Sequence, residues 1–363
     1  MTPKLALLAA LLAFGLPAQA LESSAGVLKV SKIADGFDEP WAVEFLPDSG
    51  ILVSERGGTL THLRPDGRRI NVTGVPKVVD RGQGGLLDIM IPRDFAATRD
   101  VYLSYANRKG NTYGTALGRG KLSADGTALT GFKRIFQQAR GSDQAKQFGS
   151  RIVEARDGTI FLTIGDRGDR NKAQDLRNHN GTVVRLRRSG AVPPDNPFIG
   201  MPGAEPEIYS YGHRNPQGAA LDLNGNLYVV EHGARGGDEV NAIKAGANYG
   251  WPVISYGRHY SGAKIGEGTA KEGMEQPVHY WDPSIAPSGM MIYSGKLWPD
   301  WKGDIFVGSL KFDLISRLDG KTLQEERLQS PETGRVRDII EGPNGEIWFL
   351  SVSDGALYSL TPQ

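Results

Sequence analysis

The sequence predicts an all-β fold, a six-bladed β-propeller. Three observations carry this: a hairpin-like unit recurs six times, the 48 glycines are dispersed, and β-branched and aromatic residues fill the stretches between them. That composition suits tight turns between short strands rather than a disordered chain.

The repeating unit is a strand of small and aliphatic residues, an Asp-Gly or Asn-Gly turn, and a second aliphatic and aromatic strand. Clear copies span Trp41–Glu55, Arg151–Asp166, Gly218–His232 and Arg337–Ser351, and looser ones span Leu86–Ala106 and Ser288–Leu310. Alternation broken by such turns is hairpin chemistry. A third strand follows in places, as after Gly58 and Gly181. Spacings of about 40–70 residues fit propeller blades better than a solenoid, whose repeats are shorter and more uniform. Closing the ring leaves few open sheet edges. Val27–Ile33 is expected to add a strand to the last blade and latch the circle. A pair of β-sandwiches is the architectural alternative.

The chain opens with a basic start through Lys4, an apolar run at Leu5–Leu16 and a small-x-small site at Ala18–Ala20. This reads as a secretory signal peptide. The expected organisation is a leader over residues 1–20, cut after Ala20, and one propeller domain over 21–363, in the periplasm or outside the cell. No later segment approaches the roughly 20 unbroken apolar residues of a membrane helix. With no cysteine there is no disulfide, iron–sulfur cluster or thiolate zinc site. A net charge of +1 with both signs interspersed excludes an electrostatic nucleic-acid surface or a basic membrane stripe.

Two connections are too long for blade turns. Ser189–Arg214 is rich in proline and glycine, and Lys244–Pro287 carries Tyr249, Trp251, Tyr256, His259, Tyr260, Trp281 and Asp282. Long aromatic loops on a closed scaffold are usually binding loops, which puts the site on the loop face.

Several side chains there are candidates for chemistry. Arg335 and Arg337, two apart on a strand, would share one face and repel unless an anion lies between them; a solvated edge strand is the alternative. Lys311, at the end of another blade's strand, would converge with them on a carboxylate-rich ligand. Tyr211–Gly218 reads as a rigid polar turn holding Arg214 and Asn215, or as a plain Asn-Pro turn. In Glu231–Glu239 the glycines permit close backbone approach, and Asp238 and Glu239 offer oxygen ligands suited to calcium, without EF-hand spacing. Asp166 directly follows a strand and is either a buried catalytic carboxylate or a turn former. The chain lacks a G-x-S-x-G elbow, a Walker loop and an H-E-x-x-H helix, and Gly82–Gly85 is no dinucleotide fingerprint.

Taken together, the motifs resemble the soluble pyrroloquinoline quinone (PQQ)-dependent aldose sugar dehydrogenases, relatives of soluble glucose dehydrogenase. The matches run over essentially the whole mature chain. They include Glu39–Val43, Gly82–Asp88, Phe148–Arg151, the I-G-D-R-G around Asp166, Pro194–Phe198, Tyr211–Gly218, the G-D-E-V-N around Glu239, the N-Y-G-W-P around Tyr249, and Arg335–Asp338. The resemblance implies a six-bladed propeller that oxidises aldoses to lactones with PQQ and calcium. It implies that Gln83, Arg214, Asn215, Tyr260, Lys311, Arg335 and Arg337 surround PQQ, a tricarboxylate. It places one calcium on the backbone of Gly233 and Ala234, and a second on Glu239 and the backbone of Tyr249. Asp166 would orient the catalytic base and Arg214 would stabilise charge on the quinone. The implied partners are an aldose and an unidentified electron acceptor, with no nucleic acid, no membrane insertion, and a monomer or homodimer.

One position departs from the pattern. The family's base is a histidine immediately before F-G-S-R; here it is Gln147. A carboxamide accepts a hydrogen bond but has no useful basicity at neutral pH. Gln147 would position a sugar hydroxyl without taking its proton, and losing a positioned base costs about 10²–10⁴ in rate. His232 and His213 lie in site loops as possible substitutes. Three readings compete with an impaired dehydrogenase: a binding protein that keeps the PQQ pocket, a calcium-dependent lactonase, and an interaction scaffold.

Overall fold

A computed structural model describes residues 20–363; the expected leader, apart from its last residue, lies outside the described residues. The chain forms six antiparallel sheets. The first strands of successive blades, Pro40–Phe45, Leu86–Met90, Ile152–Glu154, Pro216–Leu221, Pro287–Ile292 and Val336–Glu341, contact one another in a closed ring. Each starts a sheet that runs outward, so the architecture is the six-bladed β-propeller.

The recurring turns do what their residues require. Gly158, Gly225 and Gly345 adopt φ of 80°, 94° and 95°, conformations open to glycine but strained for other residues. In the first blade the left-handed position falls instead on Ser49, at φ 65°. The two looser copies have longer first connections, each with one helical turn, Phe95–Thr98 and Pro299–Trp301. The two long connections each contain their blade's outermost strand, Ile208–Tyr211 and His279–Trp281.

The ring is latched as expected and extended further. Gly26–Ala34 pairs with Ala356–Pro362, so the last sheet combines strands from both ends of the chain. Ala20–Ser23 adds a fifth strand. Ser24 anchors this edge to the fifth blade, where its Oγ donates to Glu326 Oε2 at 2.9 Å and accepts from Arg317 Nη2 at 3.1 Å.

Between blades, apolar side chains pack face to face, and hydroxyls of one blade reach the inner strand of the next or the residue leading into it. Ser54 Oγ donates to Leu87 O, Ser104 Oγ to Ser150 O, Thr163 Oγ1 to Pro216 O and Ser288 Oγ to Val336 O, at 2.5–3.0 Å. A buried ionic knot lies among the inner strands. Arg151 Nη1 contacts Asp88 Oδ1 at 2.7 Å and Asp338 Oδ1 at 3.0 Å, while Nε donates to Gln217 O at 3.2 Å. The second carboxylate oxygens accept the amides of Ile152 and Val43. Four blades and the segment leading into a fifth are thereby tied to one guanidinium.

Candidate functional site

Register slips in the inner strands shape the site. Ladder pairing steps over Trp41 in the first blade, Gln217 in the fourth and Arg337 in the sixth. Such bulges leave a residue unpaired and re-aim its side chain. All three line a cavity of about 290 Å³, together with Gln83, Asn215, His232, Arg335 and Arg56.

Arg335 and Arg337 do meet at this cavity, but not by strand alternation. Arg335 precedes its strand with φ 44°, and Arg337 is the bulge residue. Arg335 Nη1 donates to Leu310 O at 2.8 Å, and Arg337 Nη2 donates to Gln217 Oε1 at 2.8 Å. Arg337 Nε is buried without a partner among the described residues, and burial beside Arg151 lowers the guanidinium to about 9. Gln217 in turn donates to Asn215 Oδ1 at 3.1 Å. Two expected members stand apart from the cavity wall: Lys311 is exposed beside the lining residue Leu310, and Tyr260 is 74% exposed.

Gln83 sits on a loop that glycine makes possible. A Cβ on Gly82 would come within 2.2 Å of Ala145 O, and one on Gly85 within 2.2 Å of Arg56 O. Arg56 lines the cavity while its guanidinium donates to the carbonyls of Gly82 and Gly84 and, through Nε at 3.1 Å, to Glu39. Gln83 Oε1 accepts the backbone N–H of Gln147 at 2.6 Å.

Gln147 is buried in a left-handed conformation, φ 55°, and a Cβ on Gly165 would meet its carbonyl at 2.1 Å. Its neighbours Phe148 and Gly149 line the cavity. Arg167, wholly buried, grips this segment. It donates to Gln144 O at 2.7 Å and Lys146 O at 3.0 Å and lies 3.4 Å from the Phe148 ring centroid; burial lowers it to about 9.

Asp166 is buried, and burial raises its pKa. Its Oδ2 accepts Trp251 Nε1–H and its Oδ1 the Gly168 amide, each at 2.8 Å, so the carboxylate orients these groups rather than the Gln147 side chain. Its amide donates to Arg214 O at 2.8 Å, and the Arg214 guanidinium lies 5.3 Å from the Trp251 ring centroid.

Arg214, Gly233, Glu239 and Tyr249 line a second, smaller cavity that shares His232 with the first. Arg214 donates to the carbonyl of Gly233, and Ala234 packs against Trp251. Burial and the neighbouring Glu231 raise Glu239 to about 8, and among the described residues its carboxylate accepts only Asn241 Nδ2, at 3.3 Å. Asp238, the other oxygen donor expected there, is already engaged: it accepts from the Gly233 and Ala286 amides and from Ser284 Oγ. His232 Nε2 is buried without a partner among the described residues, and burial lowers the imidazole to about 4. His213 is tied to Glu231 at 2.7 Å and stacks on Tyr249. Elsewhere His179, Glu205 and Glu207 cluster within metal-ligand distance. There His179 Nδ1 accepts the Ala139 amide, so Nε2 carries the proton and donates to Glu207, a pairing that leaves no lone pair for a metal.

Trp41, Gln217 and Arg151 fall inside matched motifs without an expected site role, and Arg56 falls outside them; the structure places Trp41, Gln217 and Arg56 in the cavity wall and Arg151 behind it. The available signal for two of them was their place at the start of an inner strand, since Trp41 and Gln217 occupy equivalent positions in their blades.

Among known proteins, the chain is 41% identical over 354 residues to the aldose sugar dehydrogenase YliI of Escherichia coli, covering 95% of each chain. A crystal structure of a glucose dehydrogenase, 42% identical, superposes with a TM-score of 0.90 over 92% of this chain and all of that one. The PQQ-bound aldose sugar dehydrogenase of Streptomyces coelicolor, 28% identical, superposes with a TM-score of 0.78 over 95% of this chain and 99% of that one. No helix of the described residues is long and apolar enough to cross a membrane. With residues 37–359 matched by the glucose/sorbosone dehydrogenase family model, the chain belongs to that family.

Proposed function

We propose that the protein binds PQQ and calcium and oxidises aldoses to lactones, slowly, as an exported enzyme. The observation that carries the reading is Arg337. It is a cation in the cavity wall whose buried Nε has no partner among the described residues, and the neighbouring carboxylate of Asp338 is already paired to Arg151. With Arg335 beside it, the cavity fits an anion that presents several carboxylates. PQQ has that chemistry, and when bound it supplies a two-electron quinone acceptor. Gln83, Asn215, Arg335 and Arg337 are the residues that would hold it.

Calcium suits the smaller cavity. Glu239 is a desolvated, half-buried carboxylate with one hydrogen-bond partner among the described residues, beside the carboxylate of Glu231, and a hard cation would relieve both desolvation and repulsion. Glu239 and the backbone of Tyr249 would hold one ion, and the backbone of Gly233 and Ala234 another, where the ion would displace the Arg214 contact to Gly233. Bound calcium supplies Lewis-acid polarisation.

The chain's own contribution is positioning. Gln83 presents its amide N–H₂, because its oxygen is held by the Gln147 backbone. Arg214, oriented through Trp251 and Asp166, brings a fixed positive charge to the edge of the shared wall. Gln147 orients a sugar hydroxyl but takes no proton at neutral pH, which lowers turnover by about 10²–10⁴. The same residue supports a second reading, a PQQ-binding protein without turnover. The lactonase reading draws no support from a cavity lined by Arg56, Arg335 and Arg337.

The visible spectrum of the protein with PQQ and calcium, before and after adding aldose, tests this. Uptake followed by slow sugar-dependent reduction is expected. Uptake with no reduction, even at high protein in a single turnover, establishes the binding protein instead, and absence of uptake refutes both readings.

A further inference from the structure

Arg337 poses a physical problem that its surroundings solve in a particular way. A desolvated guanidinium is costly unless something compensates it. A carboxylate partner would do so, but it would also neutralise the charge and compete with an anionic ligand. Asp338, the next residue, is withheld from it: its Oδ1 lies 3.0 Å from Arg151 and its Oδ2 accepts the Val43 amide at 3.0 Å. The Arg337 guanidinium instead lies 4.3 Å from the ring centroid of Trp41, inside cation–π range, and donates to the neutral amide of Gln217. An aromatic face stabilises a cation without cancelling its charge.

The indole is itself held by a second arginine. Arg151 lies 4.5 Å from the same ring centroid, fixed by Asp88 and Asp338. Trp41 and Arg337 are both bulge residues, on the first and last blades, and those two inner strands meet where the ring closes. Trp41 is 2% exposed yet lines the cavity.

We propose that Trp41 is a positioning residue for anion recognition: its indole, braced by Arg151, holds the Arg337 guanidinium in the cavity wall with its charge unspent. The proposal rests on the reading of this cavity as the PQQ pocket. It goes further in assigning the strength of carboxylate binding to an aromatic residue that does not itself pair with the anion.

PQQ binding to the full mature chain with calcium, titrated at low and at moderate salt, tests it with Trp41→Phe, Trp41→Met, Arg337→Gln and the Trp41→Met/Arg337→Gln double variant. Trp41→Phe keeps a π face and should bind within about threefold of the parent. Trp41→Met should bind about tenfold more weakly and show a shallower salt dependence. The double variant should be no weaker than Arg337→Gln alone, because both changes remove one interaction. A purely structural role for Trp41 would leave the salt dependence unchanged and make the two losses additive. Parent-like binding by Trp41→Met, or additivity, overturns the proposal while leaving the pocket reading intact; a parent that takes up no PQQ overturns the pocket reading and this proposal with it. Should Trp41→Met fail to fold, arginine side-chain NMR of the parent decides. An Nε–H signal shifted upfield by a ring current and lost in Arg337→Gln is expected, and its absence overturns the proposal.

Discussion

The backbone N–H of Gln147 donates to the side-chain oxygen of Gln83 at 2.6 Å, linking the second blade's entry loop to the segment before the third. Residue 147 therefore serves the cavity through its main chain whatever side chain it carries. Gln147→His should leave PQQ affinity within about twofold of the parent and raise turnover by about 10²–10⁴. The variant should also gain a rising limb in its pH–rate profile near the ordinary imidazole range, about 6.5, since only the neutral ring accepts a proton. Steady-state kinetics across pH check both. An unchanged rate would remove Gln147 as the cause of slow turnover.

Trp251→Phe should destabilise the protein by about 1–3 kcal/mol, because the buried Asp166 carboxylate loses one of its two donors, the indole N–H, and keeps only the Gly168 amide. Burial already raises the Asp166 pKa, and the loss raises it further. A carboxyl that holds its proton more tightly when folded weakens the fold as pH rises. The penalty should therefore be small in acid and full at neutral pH. Urea denaturation at several pH values measures this.

Asp88 gives a second pH signature. Burial, reinforced by Asp338 and opposed by Arg151, raises it from 3.8 to about 7. Between those values the folded state holds a proton that the unfolded chain has lost, so stability falls as pH rises across that window. Asp88→Asn cannot titrate, so the parent's stability relative to this variant should decline over the same interval. Arg151→Met leaves two buried carboxylates uncompensated and should cost about 3–5 kcal/mol.

Calcium should raise the melting temperature of the parent, and a chelator should reverse the rise, since a ligand bound to the folded state stabilises it by mass action. Glu239→Gln should be more stable than the parent without calcium at neutral pH, because burial and Glu231 raise Glu239 to about 8, so the parent must take up a proton to fold and the amide need not. It should gain markedly less from added calcium. Thermal melts with and without the ion separate the two effects.

Much of the fold was legible because blades repeat. Each unit declares itself locally, by alternation and a turn residue such as Gly158 or Gly225, and Val27–Ile33 has the pattern of a strand outside the six repeats. The site was legible only in part. Gln83, Asn215, Arg335 and Arg337 line one cavity, but Tyr260 and Lys311 do not, and Arg214 belongs to the neighbouring wall. Asp238 looked like a free ligand beside Glu239, yet three hydrogen bonds consume it.

What the sequence by itself determined was the propeller, because strand period and turn chemistry are properties of adjacent residues. It also determined that position 147 carries a carboxamide and no basic group, because that is a matter of residue identity. Which charges remain available to a ligand was decided by the tertiary structure. The alternation rule would put Arg335 and Arg337 on one face for the same reason. The observed cause is different: a left-handed Arg335, and a register slip that turns Arg337 toward Trp41 and Gln217. Asp338, one residue away, is withheld by Arg151 from another blade. Pairing across blades depends on ring closure, and no local pattern encodes it.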